Sequence, residues 1–270
     1  MKTDEKLPKV DNICNLCLLL IRDGVIFLTG LQTLDVISAN IDAEYEMKGI
    51  WVATVLNLDY PTVPTDSAEE LRRQTDVILN NVEEWGFNAF FLQVRPCSDA
   101  LYESEIFPWS VYLTGKQGRA PDDDFDPLHY WVQEAHKRNL EVRAWINPFR
   151  IAQKEDDWNA LAEDSPAKQH PDWVVKYKDD DYYNPALPEV RKLLIDGSME
   201  LVVKYDVDGI HMDDYFYPGT DFDDDASFEI YGGDFTDIGD WRRNNVNLLI
   251  QDMSTAIHTF DPQLEFGISP

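Results

Sequence analysis

Short stretches that alternate apolar and polar residues with a period of two recur along this chain, and windows with helical periodicity stand between them. That order constrains the fold more than any other feature, because strands and helices taken in turn mean parallel βαβ units. The strand candidates are Gly49–Thr54, Asn88–Val94, Glu141–Asn147, the run from Asp208 into Asp213-Asp214, and Leu264–Ser269. The first helical window runs from Ser67 to Trp85, with Ser67 as N-cap, Glu69 and Glu70 in the first turn, and Leu71, Val77, Ile78 and Val82 on its apolar side. The second runs from Pro127 to Asn139 behind the Asp126-Pro127 start signal, and Pro188–Tyr205 and Asp240–Phe260 complete the set.

Each strand has two unlike faces. Phe90, Leu92 and Val94 oppose Phe91, Gln93 and Arg95; Val142, Ala144 and Ile146 oppose Arg143, Trp145 and Asn147. Ile210 and Met212 oppose His211, Asp213 and Tyr215, and Phe266 and Ile268 oppose Glu265, Gly267 and Ser269. One face is wholly apolar and suits packing on helices, while the other is mixed and turns polar at the C-terminal end. A doubly wound open sheet predicts apolar residues on both faces of its central strands. No Gly-x-Gly-x-x-Gly turn follows any strand either. The expectation is therefore an α/β fold of the TIM (β/α)8-barrel type, for which 270 residues is an ordinary length. Closure needs eight strands and five are read, so the barrel reads as truncated after the fifth strand. On this reading residues 47–270 are the barrel, lacking its C-terminal part, and residues 1–46 are an atypical N-terminal segment.

That segment has an apolar run from Ile13 to Ile21, a charged break at Arg22-Asp23, and a second apolar stretch from Val25 to Ile37. It makes a poor secretory signal and is too interrupted for a membrane span. Cys14, Cys17 and Cys97 neither staple a fold nor complete a zinc site. With 23 basic against 51 acidic residues, a formal charge of -28, nucleic acid and anionic membranes are excluded as partners, since both need positive potential. The acidic runs at 122–124, 155–157, 179–181 and 223–225 read as solvated loops. Asp221-x-Asp223-x-Asp225 opens like a calcium loop, but Ala226 and Gly232 stand where its glycine and closing glutamate belong. The sequence calls for no metal and no cofactor.

Barrel enzymes hold their catalytic groups at the C-terminal ends of the strands. The inward polar set there is Gln93, Arg95, Asn147, His211, Asp213 and Ser269. Arg143 and Glu265 lie nearer the strand starts, where they form an ion pair with a structural role. His211, one layer below Asp213, reads as a satisfied core histidine. For Gln93, Arg95 and Asn147, ligand contact and structural support weigh equally.

With these residues in view, the chain resembles the glycosyl-hydrolase-like 10 family of bacterial barrel proteins. The resemblance rests on Lys48-Gly-Ile-Trp-Val-Ala-Thr54, Gln93-Val-Arg-Pro96, the Trp109–Gly118 loop, Glu134–Arg138, Ala144-Trp-Ile-Asn-Pro148, Asp206–Pro218 and Trp241–Asn247, in register from about Lys48 to Pro270. It implies hydrolysis of glycosidic bonds outside the cytoplasm, with bacterial cell-wall glycan, notably peptidoglycan strands stripped of peptide, as substrate. Such chemistry uses two carboxyl groups flanking the scissile bond. Asp213 is expected as one, with Asp214 orienting it or binding sugar hydroxyls. Its partner is either Asp99 or a residue outside this chain. Trp109, Tyr112, Tyr215 and Tyr217 are candidate stacking platforms. Gln93, Asn147 and Ser269 are candidate substrate contacts, and Arg95 is a candidate for a carboxylate on the sugar. The alternative is a carbohydrate-binding pseudoenzyme that keeps the platform without turnover.

Overall fold

The computed structural model describes residues 46–153 and 155–269, and the elements below lie in the unit Lys48–Pro270. The N-terminal segment, with Cys14 and Cys17, lies outside the described residues apart from Glu46. In chain order the first half comprises β1 (Gly49–Val52), α1 (Ala68–Glu84), β2 (Ala89–Arg95), α2 (Val111–Thr114), α3 (Pro127–His136), β3 (Glu141–Ile146), β4 (Arg150–Ala152) and α4 (Glu155–Ala160). The second comprises α5 (Pro166–Gln169), β5 (Val174–Tyr177), β6 (Asp180–Tyr183), α6 (Pro188–Lys204), β7 (Gly209–Met212), α7 (Asp225–Tyr231), α8 (Ile238–Phe260) and β8 (Glu265–Ile268).

Helix starts follow local chemistry. Ser67 Oγ accepts from Glu70 N at 3.2 Å and caps α1; Asp126 Oδ1 accepts from His129 N at 3.0 Å and caps α3, which has Pro127 in its first turn. In α8 the cap is Asp237, whose Oδ1 accepts from Asp240 N at 2.8 Å, so the helix begins two residues before the expected Asp240. Leu71, Leu79 and Val82 bury the inner side of α1, whereas Val77, expected there, is 48% exposed.

The main sheet is parallel, in the order β1-β2-β3-β7-β8. Its helix-facing side is the apolar one: Phe90, Leu92, Val94, Val142, Ala144, Ile146, Ile210 and Met212 are all buried. The other side carries an aromatic layer. Trp51 stacks on Phe91 at 4.6 Å and meets Trp145 edge-on at 4.8 Å, and His211 touches both Trp51 and Phe91 edge-on. Below it Arg143 Nε and Nη2 donate to Glu265 Oε2 at 2.9 and 2.6 Å, the ion pair expected from the sequence. Among the described residues the sheet is open, with β1 and β8 at its edges, so eight-stranded closure is not made within them.

Two features depart from the simple alternation. Register shifts between Gln93 and Arg95, so that Val94 and Arg95 together oppose Ile146. This bulge rotates Arg95 off the Gln93 face and onto the helix side. After β3, a region expected to be irregular forms an antiparallel sheet in the order β4-β6-β5. Its β5–β6 turn is Lys178-Asp179, with Lys178 at φ 58°. The acidic runs are not all solvated loops either: Asp180 and Asp181 are in β6, and Asp224 is buried on Arg242, which donates to it at 2.5 Å.

Candidate active site

Four neighbouring strands end in polar groups that join into one relay. Thr54 N and Val55 N, just past β1, both donate to Gln93 Oε1 at 2.9 Å. Thr54 Oγ1 also donates to the Gln93 carbonyl at 2.8 Å. Because backbone donors hold the Gln93 oxygen, its Nε2 must turn away, and it donates to Asn147 Oδ1 at 2.5 Å. Asn147 then presents Nδ2 to Asp213, 2.8 Å from Oδ1 and 2.7 Å from Oδ2. The orientation of each amide is thus dictated by the one before it, starting from fixed backbone N–H groups. Tyr215 N adds a third bond to Asp213 Oδ1 at 3.3 Å. A carboxylate has about four acceptor positions; the one left over lies on Oδ2, at the half-exposed mouth of the strand bundle.

Gln93 and Asn147 are 1% and 3% exposed, and their side-chain hydrogen bonds lead to Asp213. Ser269, also expected at the ligand, makes a bond with His211 Nε2 at 3.0 Å. His211 is buried, and desolvation holds its pKa below the ordinary histidine value although Asp213 pulls the other way. The close approach of β8 here requires glycine: a Cβ on Gly267 would stand 2.7 Å from His211 Nδ1.

Arg95 is not at this site. Having been rotated by the bulge, it packs over the Phe107 ring at 4.6 Å, and Nη2 donates to Ser198 Oγ on α6 at 3.3 Å. It is 2% exposed, and burial lowers its pKa. Tyr217 is likewise engaged in packing, edge-on to Phe222 at 5.4 Å with its hydroxyl accepting from Asn245 at 3.3 Å. Trp109 is half-buried against the core. Tyr215 is the open ring, 41% exposed, with the Arg150 guanidinium 4.6 Å from its centroid and Tyr182 at 6.5 Å. Asp214 is exposed beside it.

Asp99 lies elsewhere at the same strand ends. With Tyr112 it lines a cavity of about 170 Å³ formed by the loops after β1, β2 and β3, and Asp213 is not part of that lining. Asp99 Oδ2 accepts from Val111 N at 3.2 Å, and burial pushes its pKa up to about 6. Thr54, Arg150 and Tyr182 join the site without having been singled out from the sequence. Thr54 ends a motif strand and is within reach of alternation, whereas the other two are carried by the antiparallel insertion. Among the described residues no group of three or more His, Cys, Asp or Glu side chains is arranged to hold a metal ion. None of the described helices is long and apolar enough to cross a membrane. Chemically, the strand ends offer one oriented carboxylate with a spare acceptor position, next to an exposed aromatic ring.

The family described as glycosyl hydrolase-like 10 matches residues 46–270. Glycosyl hydrolase YngK of Bacillus subtilis (strain 168) is 45% identical over 237 residues, covering 86% of this chain and 46% of the relative. Glycosyl hydrolase DigH of Escherichia coli (strain K12) is 38% identical over 242 residues, covering 83% and 55%. The chain thus spans about half the length of these curated relatives. In fold it is similar to α-L-fucosidase isoenzyme 2 from Paenibacillus thiaminolyticus, with a TM-score of 0.56 and 16% identity over 83% of this chain and 32% of that one.

Proposed function

Since the chain belongs to the glycosyl hydrolase-like 10 family, we propose that it acts on a glycan as a glycoside hydrolase, with Asp213 as one of the two carboxyl groups that flank the scissile bond. The substrate we propose is an extracytoplasmic bacterial cell-wall polysaccharide, such as peptidoglycan strands stripped of peptide. One observation carries the assignment of Asp213. Residues from three other strand ends are spent on aiming this single carboxylate: Thr54, Gln93 and Asn147 have their polar atoms committed to one another and finally to it. Exposed carboxylates with no task need no such support. Tyr215 supplies an open ring for a sugar face beside it.

The test is release of reducing ends from peptide-free peptidoglycan strands and a panel of other polysaccharides, by this chain and by its Asp213→Asn form. Loss of at least about 10²-fold in rate is expected from removing a group that carries or relays a proton. Equal rates in the two forms would sink the assignment. A second reading, glycan binding without turnover, is favoured by the hydrogen bonds of Asp213 themselves, since among the described residues no other carboxylate is one of its partners. Binding of the same glycans with no reducing ends released by this chain is the outcome that selects it.

A further inference from the structure

Just past β1 the chain reverses in a turn, Val55-Leu56-Asn57-Leu58, closed by Leu58 N donating to the Val55 carbonyl at 3.3 Å. Both central residues have left-handed backbone, Leu56 at φ 55°, ψ 18° and Asn57 at φ 55°. Turns of this kind favour glycine, asparagine or aspartate at both places, because a bulkier side chain crowds its own backbone there. Asn57 obeys that rule and Leu56 breaks it. Burial does not compensate, since Leu56 is 56% exposed. Exposed leucines are ordinary, but one held in left-handed backbone with more than half its surface in water is favoured neither by conformation nor by packing.

The strained turn persists because it is fixed from outside. Val55 N donates to Gln93 Oε1 at 2.9 Å, on the relay that ends at Asp213. Asn57 Nδ2 donates to the carbonyls of Pro61 and Tyr112 at 2.7 and 2.6 Å, and Ala53 N donates to Asp59 Oδ2 at 2.8 Å across the base of the turn. One buried amide, Gln93, thus anchors both the support of Asp213 and the turn that carries Leu56. Leu56 stands with Tyr112 at the rim of the cavity formed by the loops after β1, β2 and β3. In the sheet β1 is three places from β7, so the turn lies about 14 Å along the strand ends from Asp213, at about 4.8 Å per strand.

We propose that Leu56 is a glycan contact: its side chain, beside Tyr112, is an apolar platform for the face of a sugar unit some way along the polymer from the bond at Asp213. Sugar rings present C–H faces that pack on apolar side chains, and a platform whose backbone is fixed in advance loses little freedom on binding. The inference rests on the glycan reading and adds to it a residue that positions the polymer.

Two substitutions separate this role from a structural one. Leu56→Asn suits the left-handed backbone and removes the apolar surface, whereas Leu56→Met keeps apolar bulk in the same strained place. Each is made in the Asp213→Asn form, and binding of a peptide-free peptidoglycan octasaccharide is measured by calorimetry alongside thermal unfolding. Leu56→Asn is expected to raise Tm by about 2–4 °C, through relief of the backbone. The same substitution is expected to weaken binding about fivefold, through loss of the apolar contact. Leu56→Met is expected to leave both near the parent values. Unchanged affinity in Leu56→Asn, or a Tm that falls, overturns the contact. Failure of the Asp213→Asn form with Leu56 intact to bind the octasaccharide removes the glycan reading and the contact with it. Reducing-end release that survives Asp213→Asn counts against the hydrolase reading alone, and the comparison at Leu56, which reads affinity, stands.

Discussion

Asn147 stands between a buried amide and a carboxylate, and neither keeps its geometry without it. Asn147→Ala leaves Gln93 Nε2 buried without an acceptor and removes the donor to both oxygens of Asp213. The expected cost is about 1–3 kcal/mol of stability, measured by urea unfolding, together with a fall in turnover that exceeds any change in KM. Asp99 gives a result of opposite sign. Its folded-state pKa of about 6 exceeds the unfolded value of 3.8, so the contribution of this carboxyl favours folding fully below 3.8 and is lost as pH rises through 6. Asp99→Asn is therefore expected to stabilise the protein at pH 7, by on the order of 2–3 kcal/mol, with the gain vanishing towards pH 4 in a urea series. At this scale alternation makes Gln93, Asn147 and Asp213 legible, because all three project from one face of their strands. Arg95 is not legible: one extra residue in β2 inverts its face, and nothing in Gln93-Val-Arg-Pro96 marks the insertion.

The elements show where pattern and packing disagree. Gly197 sits inside α6, where helix propensity alone makes Gly197→Ala stabilising by about 1 kcal/mol. Packing reverses that sign, because the added methyl group would collide with Arg95 Nη1 and Phe107 Cε2, both buried and neither at a flexible surface. Net destabilisation of roughly 1–3 kcal/mol is expected by urea unfolding. Pairing the substitution with Arg95→Met is expected to recover part of it, since a shorter, uncharged side chain relieves the contact and removes an unpaired buried guanidinium nitrogen. The long strands and capped helices are readable from sequence because period, cap and length agree. The β4-β6-β5 sheet is not, since its hairpin turn uses Lys178-Asp179 in place of the Asn-Gly or Asp-Gly pairs that mark such turns, and its strands are three to four residues long. Arg150 and Tyr182 stay hidden with it.

Charge governs the molecule as a whole. With 51 acidic and 23 basic residues, a formal -28, the folded chain holds excess negative charge at closer quarters than the unfolded one. Its exposed ion pairs do little to offset this. Arg73–Glu70, Lys137–Glu134, Lys192–Asp196 and Arg243–Asp240 each join residues three or four apart in sequence, with lysine or arginine side chains well exposed, and such pairs contribute little. Arg242–Asp224 is the contrasting case, buried on both sides and therefore weakly screened. Salt should thus relieve more repulsion than it removes attraction. Raising sodium chloride from about 20 mM to about 500 mM shortens the screening length from roughly 20 Å to roughly 4 Å. The expected result is an increase in Tm of about 2–4 °C, which corresponds to about 1 kcal/mol for a chain of this size. Arg242→Met in the same series is expected to lower Tm at every salt concentration by a nearly constant amount, because the charge it strands on Asp224 lies beyond the reach of the counterions. A Tm that falls with salt in the parent chain would instead mean that the exposed pairs act as a network whose attraction outweighs the net repulsion.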